Sequence, residues 1–150
     1  MKILLAIDVQ PEFRDSDGYY ERILSYIETH RKDYDAVYAT MCGNSIMSPF
    51  FRQNVWKECM DGVKPLDFNP EMAVMKYGYG FTDYSWLNPA HEYEIIGYNT
   101  DCCVYKIAMD LFDRGYTFKI LTGLCYSTNG AEHHERGVAI LKDCLKPMVV

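Results

Sequence analysis

A chain of 150 residues is long enough to bury one substantial core, and 49% hydrophobic with 24% charged residues is an ordinary globular composition. The formal net charge of −6, with no run of Lys or Arg, argues against a nucleic-acid partner, because phosphates need a basic footprint. No apolar stretch approaches the length of a membrane span, which leaves a small molecule as the expected partner.

The first predicted element is a strand over 3–8. Its apolar run ends at Asp8, too early for a signal peptide, and a buried first strand explains it better. A helix follows over 20–30, where Ile23, Leu24 and Ile27 form one apolar stripe. Further strands are predicted over 36–40, 73–76, 93–98, 117–122 and 148–150. The segment 44–70, with Pro49, Pro65 and Pro70, is expected to be a loop carrying one short helix near 52–60. Residues 81–90 read as irregular. Helices are predicted over 104–114, stopped by Gly115, and over 132–143. Consecutive apolar positions suit parallel strands covered on both faces. The alternation of strand and helix predicts an α/β fold: a single domain, 1–150, built as a three-layer αβα sandwich on a mostly parallel, Rossmann-like sheet of about six strands.

Six cysteines stand at 42, 59, 102, 103, 125 and 144, with no CxxC pair. Most fall in or beside apolar segments, and a core of this size needs no disulfides. Reduced thiols and a cytoplasmic location are therefore expected.

Ligands of such sheets bind outside the carboxyl ends of the strands. Those ends carry Asp8, Thr40 to Cys42, Lys76, Asn99 to Cys103 and the residues after Thr122. Three of them offer an acid, an amine and a thiol: Asp8, Lys76 and Cys103. A cysteine attacks as thiolate and needs a base, a positive charge or a helix N-terminus to become one. Each residue also has a plain structural explanation. The Asp suits a cap, the Lys a solvated strand end and the Cys a small core residue.

The sequence resembles the isochorismatase-like cysteine hydrolases, the superfamily that includes nicotinamidases. Leu4-Leu5-Ala6-Ile7-Asp8-Val9-Gln10-Pro11-Glu12-Phe13 is similar to its opening strand, and Met75-Lys76-Tyr77-Gly78-Tyr79-Gly80-Phe81 to its lysine segment. Gly97-Tyr98-Asn99-Thr100-Asp101-Cys102-Cys103-Val104 resembles its Gly-x-x-Thr-Asp-x-Cys-Val signature. The resemblance implies that Cys103 is the nucleophile, Asp8 the general base and Lys76 the third member of a catalytic triad. It also implies a cis peptide between Tyr98 and Asn99, and an oxyanion hole made of the backbone N–H groups of Asn99 and Cys103. Thr100 and Asp101 are expected to hold that turn, with Asp101 as a helix cap.

The sequence departs from the nicotinamidase pattern at 39–44, Ala-Thr-Met-Cys-Gly-Asn, where that family carries an Asp-x-His metal pair. His30, His91, His133 and His134 lie elsewhere, and the last two are expected at a solvated helix end. No metal and no cofactor are therefore expected. Gln10, Phe13, Asn44, Phe50, Trp56, Tyr79, Phe81 and Tyr105 are the expected substrate-binding residues. The resulting expectation is a metal-independent amidohydrolase that cleaves a C–N bond of a small amide, imide or ureido compound through a thioester. Two alternatives stay open: a small-molecule binding protein with little turnover, and a vinyl-ether hydrolase of the isochorismatase type. The resemblance further implies a homo-oligomer.

Overall fold

Burial on both faces of the first strand organises the architecture. The computed structural model describes residues 1–57 and 62–150, so Cys59 lies outside the described residues. Strand β1 (Lys2–Ile7) is buried from Ile3 to Ile7. Ile3, Leu5 and Ile7 point into one core cluster, Leu4 and Ala6 into the other. Each large aliphatic side chain taken fully out of water contributes about 1.5–3 kcal/mol, so β1 anchors both clusters at once.

Around it run β2 (Ala36–Cys42), β3 (Met72–Lys76), β4 (Glu92–Tyr98) and β5 (Thr117–Tyr126), in the order β3-β2-β1-β4-β5. Every pairing is parallel. Helix α1 (Tyr19–His30) packs Tyr20, Ile23 and Ile27 on one face of the sheet. Asp15 starts this helix, its carboxylate accepting the N–H groups of Tyr19 and Tyr20 at 3.1 and 3.0 Å. Helices α3 (Tyr105–Asp113) and α4 (Ala131–Leu145) cover the other face with Ile107, Leu111, Leu141 and Leu145. The three layers expected from the sequence are thus present.

Two expectations need correction. The sheet has five strands, not six. The chain turns at Lys146–Met148, and only Val149 then bridges to Ile120 beside β5. Pro147 in that turn leaves too few residues for a strand. The short helix of the 44–70 segment, α2, spans Pro49–Arg52 rather than starting at 52. Ser48 accepts the Phe51 N–H and Pro49 occupies the first turn, a start signal that outweighs the apolar spacing further on. Part of the expected 52–60 helix lies outside the described residues.

The order of strands reverses between β1 and β4, and the crevice at their carboxyl ends is where such folds bind ligands. There β4 comes unusually close to β1. A Cβ on Gly97 would lie 2.1 Å from the Ile7 carbonyl oxygen, and Gly97 has φ +119°. Only glycine fits. Among the described residues, no helix is long and apolar enough to cross a membrane.

Candidate active site

Asp8, directly after β1, has φ 50°, a left-handed conformation that few non-glycine residues adopt. It is held there by Thr40 on β2. The Asp8 N–H donates to the Thr40 carbonyl at 3.1 Å, and the Thr40 hydroxyl donates to Asp8 Oδ1 at 2.7 Å. The other carboxylate oxygen faces Lys76, whose Nζ lies 2.7 Å away. Lys76 ends β3, two strands over, and its ammonium also donates to the Gly78 carbonyl at 3.0 Å and reaches Cys103 Sγ at 3.2 Å. The pair is buried, with Asp8 0% and Lys76 2% exposed. Ions so deep persist only when paired and hydrogen-bonded, and these are.

Cys103 arrives from β4 on a tight turn. The Tyr98–Asn99 peptide is cis, as the resemblance implied, and Thr100–Val104 forms one π-helical turn before α3. The Asn99 carbonyl accepts both Cys102 N–H and Val104 N–H at 3.0 Å, while Asn99 Oδ1 accepts the Thr128 N–H at 2.8 Å.

The turn is clamped from outside by α4. Asp101 does not cap the helix. Its Oδ1 accepts the Ser127 hydroxyl at 2.8 Å and its Oδ2 lies 3.1 Å from His133 Nδ1. Thr100 Oγ1 lies 2.8 Å from His134 Nδ1. The two adjacent histidines are therefore half-buried latches on neighbouring residues of the turn, not a solvated helix end. Gly137 permits the approach, since a Cβ there would sit 2.8 Å from the Asp101 nitrogen. A cue existed in the sequence: Gly137 within an otherwise regular helix usually marks close backbone packing.

Burial alone would lower the Lys76 pKa, but the Asp8 carboxylate and the nearby Cys103 and Cys42 thiols outweigh it, so the amine is held protonated. The Cys103 thiol is pushed well above 9.0 by its hydrogen bond with Cys42, by burial and by the Asp8 charge, against the pull of Lys76. That same bond lowers Cys42, with Lys76 assisting against burial. The two sulfurs titrate as one pair, in which loss of one proton hinders loss of the second. Burial also holds His134 below the ordinary 6.5.

No protein-family model matches the sequence, and no curated protein is significantly similar to it. Solved structures are similar in fold. A pyrazinamidase/nicotinamidase from Streptococcus mutans UA159 superposes with a TM-score of 0.75 at 17% identity, covering 100% of both chains. The pyrazinamidase of Pyrococcus horikoshii, solved in complex with zinc, gives 0.73 at 18% identity over 99% of this chain and 96% of its own. An isochorismatase-like hydrolase from Alkaliphilus metalliredigens gives 0.68 at 17% identity over 95% and 91%. The fold is that of the isochorismatase-like hydrolases.

Within this isochorismatase-like fold, Cys103 opens onto a cavity of about 350 Å³ lined by Phe13, Cys42, Phe50, Val55, Trp56, Tyr79, Asn99, Cys102, Cys103, Thr128 and Asn129. Four expected substrate-binding residues, Phe13, Phe50, Trp56 and Tyr79, are in this wall. Phe50 packs edge-on against both Trp56 and Tyr79, with ring centroids 5.8 and 4.9 Å apart.

The other four lie outside the wall. Gln10 is fully buried and clamps β2: its Nε2 donates to the Cys42 carbonyl at 3.2 Å and its Oε1 accepts the Cys42 N–H at 2.7 Å. Asn44 braces the following loop through the Ser45 N–H at 3.0 Å, the Ser48 hydroxyl and the Trp56 carbonyl at 3.3 Å. Phe81 stacks edge-on with Tyr84 and Trp86, and Tyr105 packs on the α3–α4 core. Sequence reasoning missed Cys42, Val55, Cys102, Thr128 and Asn129 as wall residues. Cys42 and Cys102 stood among the strand-end residues it selected, but without a charge or ring to mark them.

Among the described residues, no group of three or more His, Cys, Asp or Glu side chains is arranged to hold a metal ion. The cavity wall offers thiols, amides, a hydroxyl and rings, with no carboxylate or imidazole. These described residues do not fit a zinc site of His and carboxylate ligands.

Proposed function

We propose that this protein is a cysteine hydrolase that cleaves a C–N bond of a small, neutral amide, imide or ureido compound without a metal. The observation that carries this reading is the Lys76 ammonium, 2.7 Å from the Asp8 carboxylate and 3.2 Å from the Cys103 sulfur, which opens onto an aromatic-lined cavity. An acid, a cation and a thiol in contact at the switch point of the sheet are what covalent hydrolysis requires.

The geometry supports the following cycle. Cys103 rests as a thiol, and Asp8 takes its proton as the sulfur attacks the carbonyl carbon. Lys76 stays charged throughout and stabilises whichever neighbour carries the negative charge. The backbone N–H groups of Asn99 and Cys103 receive the developing oxyanion, each such donor contributing about 3–4 kcal/mol to the transition state. Asp8 returns the proton to the leaving nitrogen, which departs as ammonia or an amine and leaves a thioester. Water, deprotonated by Asp8, then releases the acid and restores the thiol.

Charge in the wall narrows the substrate. None of the described lining residues is an Arg, Lys, His, Asp or Glu. A carboxylate-bearing vinyl ether such as isochorismate meets no cation there, whereas a neutral planar amide meets aromatic faces and the polar groups of Asn99, Thr128 and Asn129. The test is ammonia release from a panel of small neutral amides. Activity that disappears in Cys103→Ala supports the reading, and activity unchanged in that variant overturns it.

A further inference from the structure

The hydrolytic cycle uses one thiol, yet Cys42 and Cys102 line the same cavity as Cys103. Cys42 ends β2 and is the register partner of Lys76, whose ammonium reaches the Cys103 sulfur at 3.2 Å. The Cys42 and Cys103 thiols are both buried and both free. Gln10 fixes the Cys42 backbone on both sides, so its side chain cannot drift from the pair. The proposed acyl transfer assigns no step to Cys42.

We propose that Cys42 and Cys103 form a reversible redox couple in which a small hydroperoxide closes the site as a Cys42–Cys103 disulfide. The deprotonated sulfur of the pair attacks the terminal oxygen of the peroxide; an S–O bond forms, the O–O bond breaks, and the departing alkoxide or hydroxide takes up a proton. The second sulfur then attacks the sulfenic acid. An S–S bond forms, the S–O bond breaks, and the hydroxide leaves as water on taking the second thiol's proton. Two thiols are oxidised, and one hydroperoxide is reduced to an alcohol and water, or to two waters for hydrogen peroxide. A dithiol reductant reverses the bond by exchange. The buried ammonium beside the pair favours the attacking thiolate, and the adjacent second thiol intercepts the sulfenic acid before it reaches the irreversible sulfinic state.

The inference does not depend on turnover of an amide, and its test reads sulfur chemistry alone. The full chain is treated with a small excess of hydrogen peroxide, alkylated, digested without reduction and mapped by mass spectrometry. The expected result is a Cys42–Cys103 linked peptide, loss of alkylation at both residues, and full recovery of both after dithiothreitol. In Cys42→Ser the link is absent and Cys103 passes to sulfinic acid that dithiothreitol does not reverse. Wild-type protein in which Cys103 becomes sulfinic acid while Cys42 remains an alkylatable thiol overturns the proposal. So does a Cys102–Cys103 link in place of the expected one.

Discussion

The buried floor beneath the cavity lining and the cavity rim are built on different principles. On the floor, Asp8, Lys76 and Cys103 come from the ends of β1 and β3 and the turn after β4, and each is fixed by parallel pairing and buried hydrogen bonds. On the rim, Trp56, Val55 and Tyr79 sit on loops, with Val55 61% and Tyr79 43% exposed. The contrast teaches that the ionic chemistry belongs to the sheet and is inseparable from stability, while substrate shape is set by loops that change at little cost to the fold.

The sharpest way to break that contrast is to unpair the floor. Lys76→Met leaves the Asp8 carboxylate buried without its cation, and a loss of about 3–5 kcal/mol in urea unfolding is expected. Adding Asp8→Asn to the same chain recovers most of that loss. A Lys76→Met protein as stable as wild type removes the distinction altogether.

Next in size is Gly97→Ala, which forces a Cβ against the Ile7 carbonyl oxygen and is expected to cost about 2–3 kcal/mol. On the rim the expectation inverts. Trp56→Leu raises KM severalfold and leaves kcat and the urea midpoint close to wild type, whereas Phe81→Leu, outside the wall, leaves KM unchanged.

The smallest effect concerns the latch on the Cys103 turn. Burial depresses His134 below 6.5, so the unfolded chain binds that proton more readily than the folded one. Its contribution is complete above 6.5 and is lost as pH falls from there through the lower native value. In His134→Gln, urea midpoints followed from neutral pH downward fall less steeply than in wild type.

The same division explains what the sequence disclosed. Apolar runs ending in Asp8 and Lys76 marked strands and their carboxyl ends together, because burial of the strand and the polar group at its end fall on adjacent residues. The motif from Gly97 to Val104 marked the turn before Cys103 in the same local way. Rim and clamp were less legible. Whether Phe81 or Tyr79 faces the cavity depends on the path of an irregular loop, and no periodicity records it. Gln10 and Asn44 looked like ligand contacts because their amides are polar, yet Gln10 clamps the Cys42 backbone and Asn44 braces its own loop through Ser45, Ser48 and Trp56. The His133–Asp101 and His134–Thr100 contacts depend on how α4 docks, which the helix's own pattern does not specify.

The central claim, that the Cys103 sulfur is the covalent nucleophile of this floor, is tested most directly by acid-quenched intact-mass spectrometry during turnover of an amide the protein hydrolyses. The account predicts a transient acyl adduct that maps to Cys103 and is absent from the Cys103→Ala variant. Hydrolysis with no adduct, or an adduct that maps to Cys102 or Cys42 instead, contradicts it.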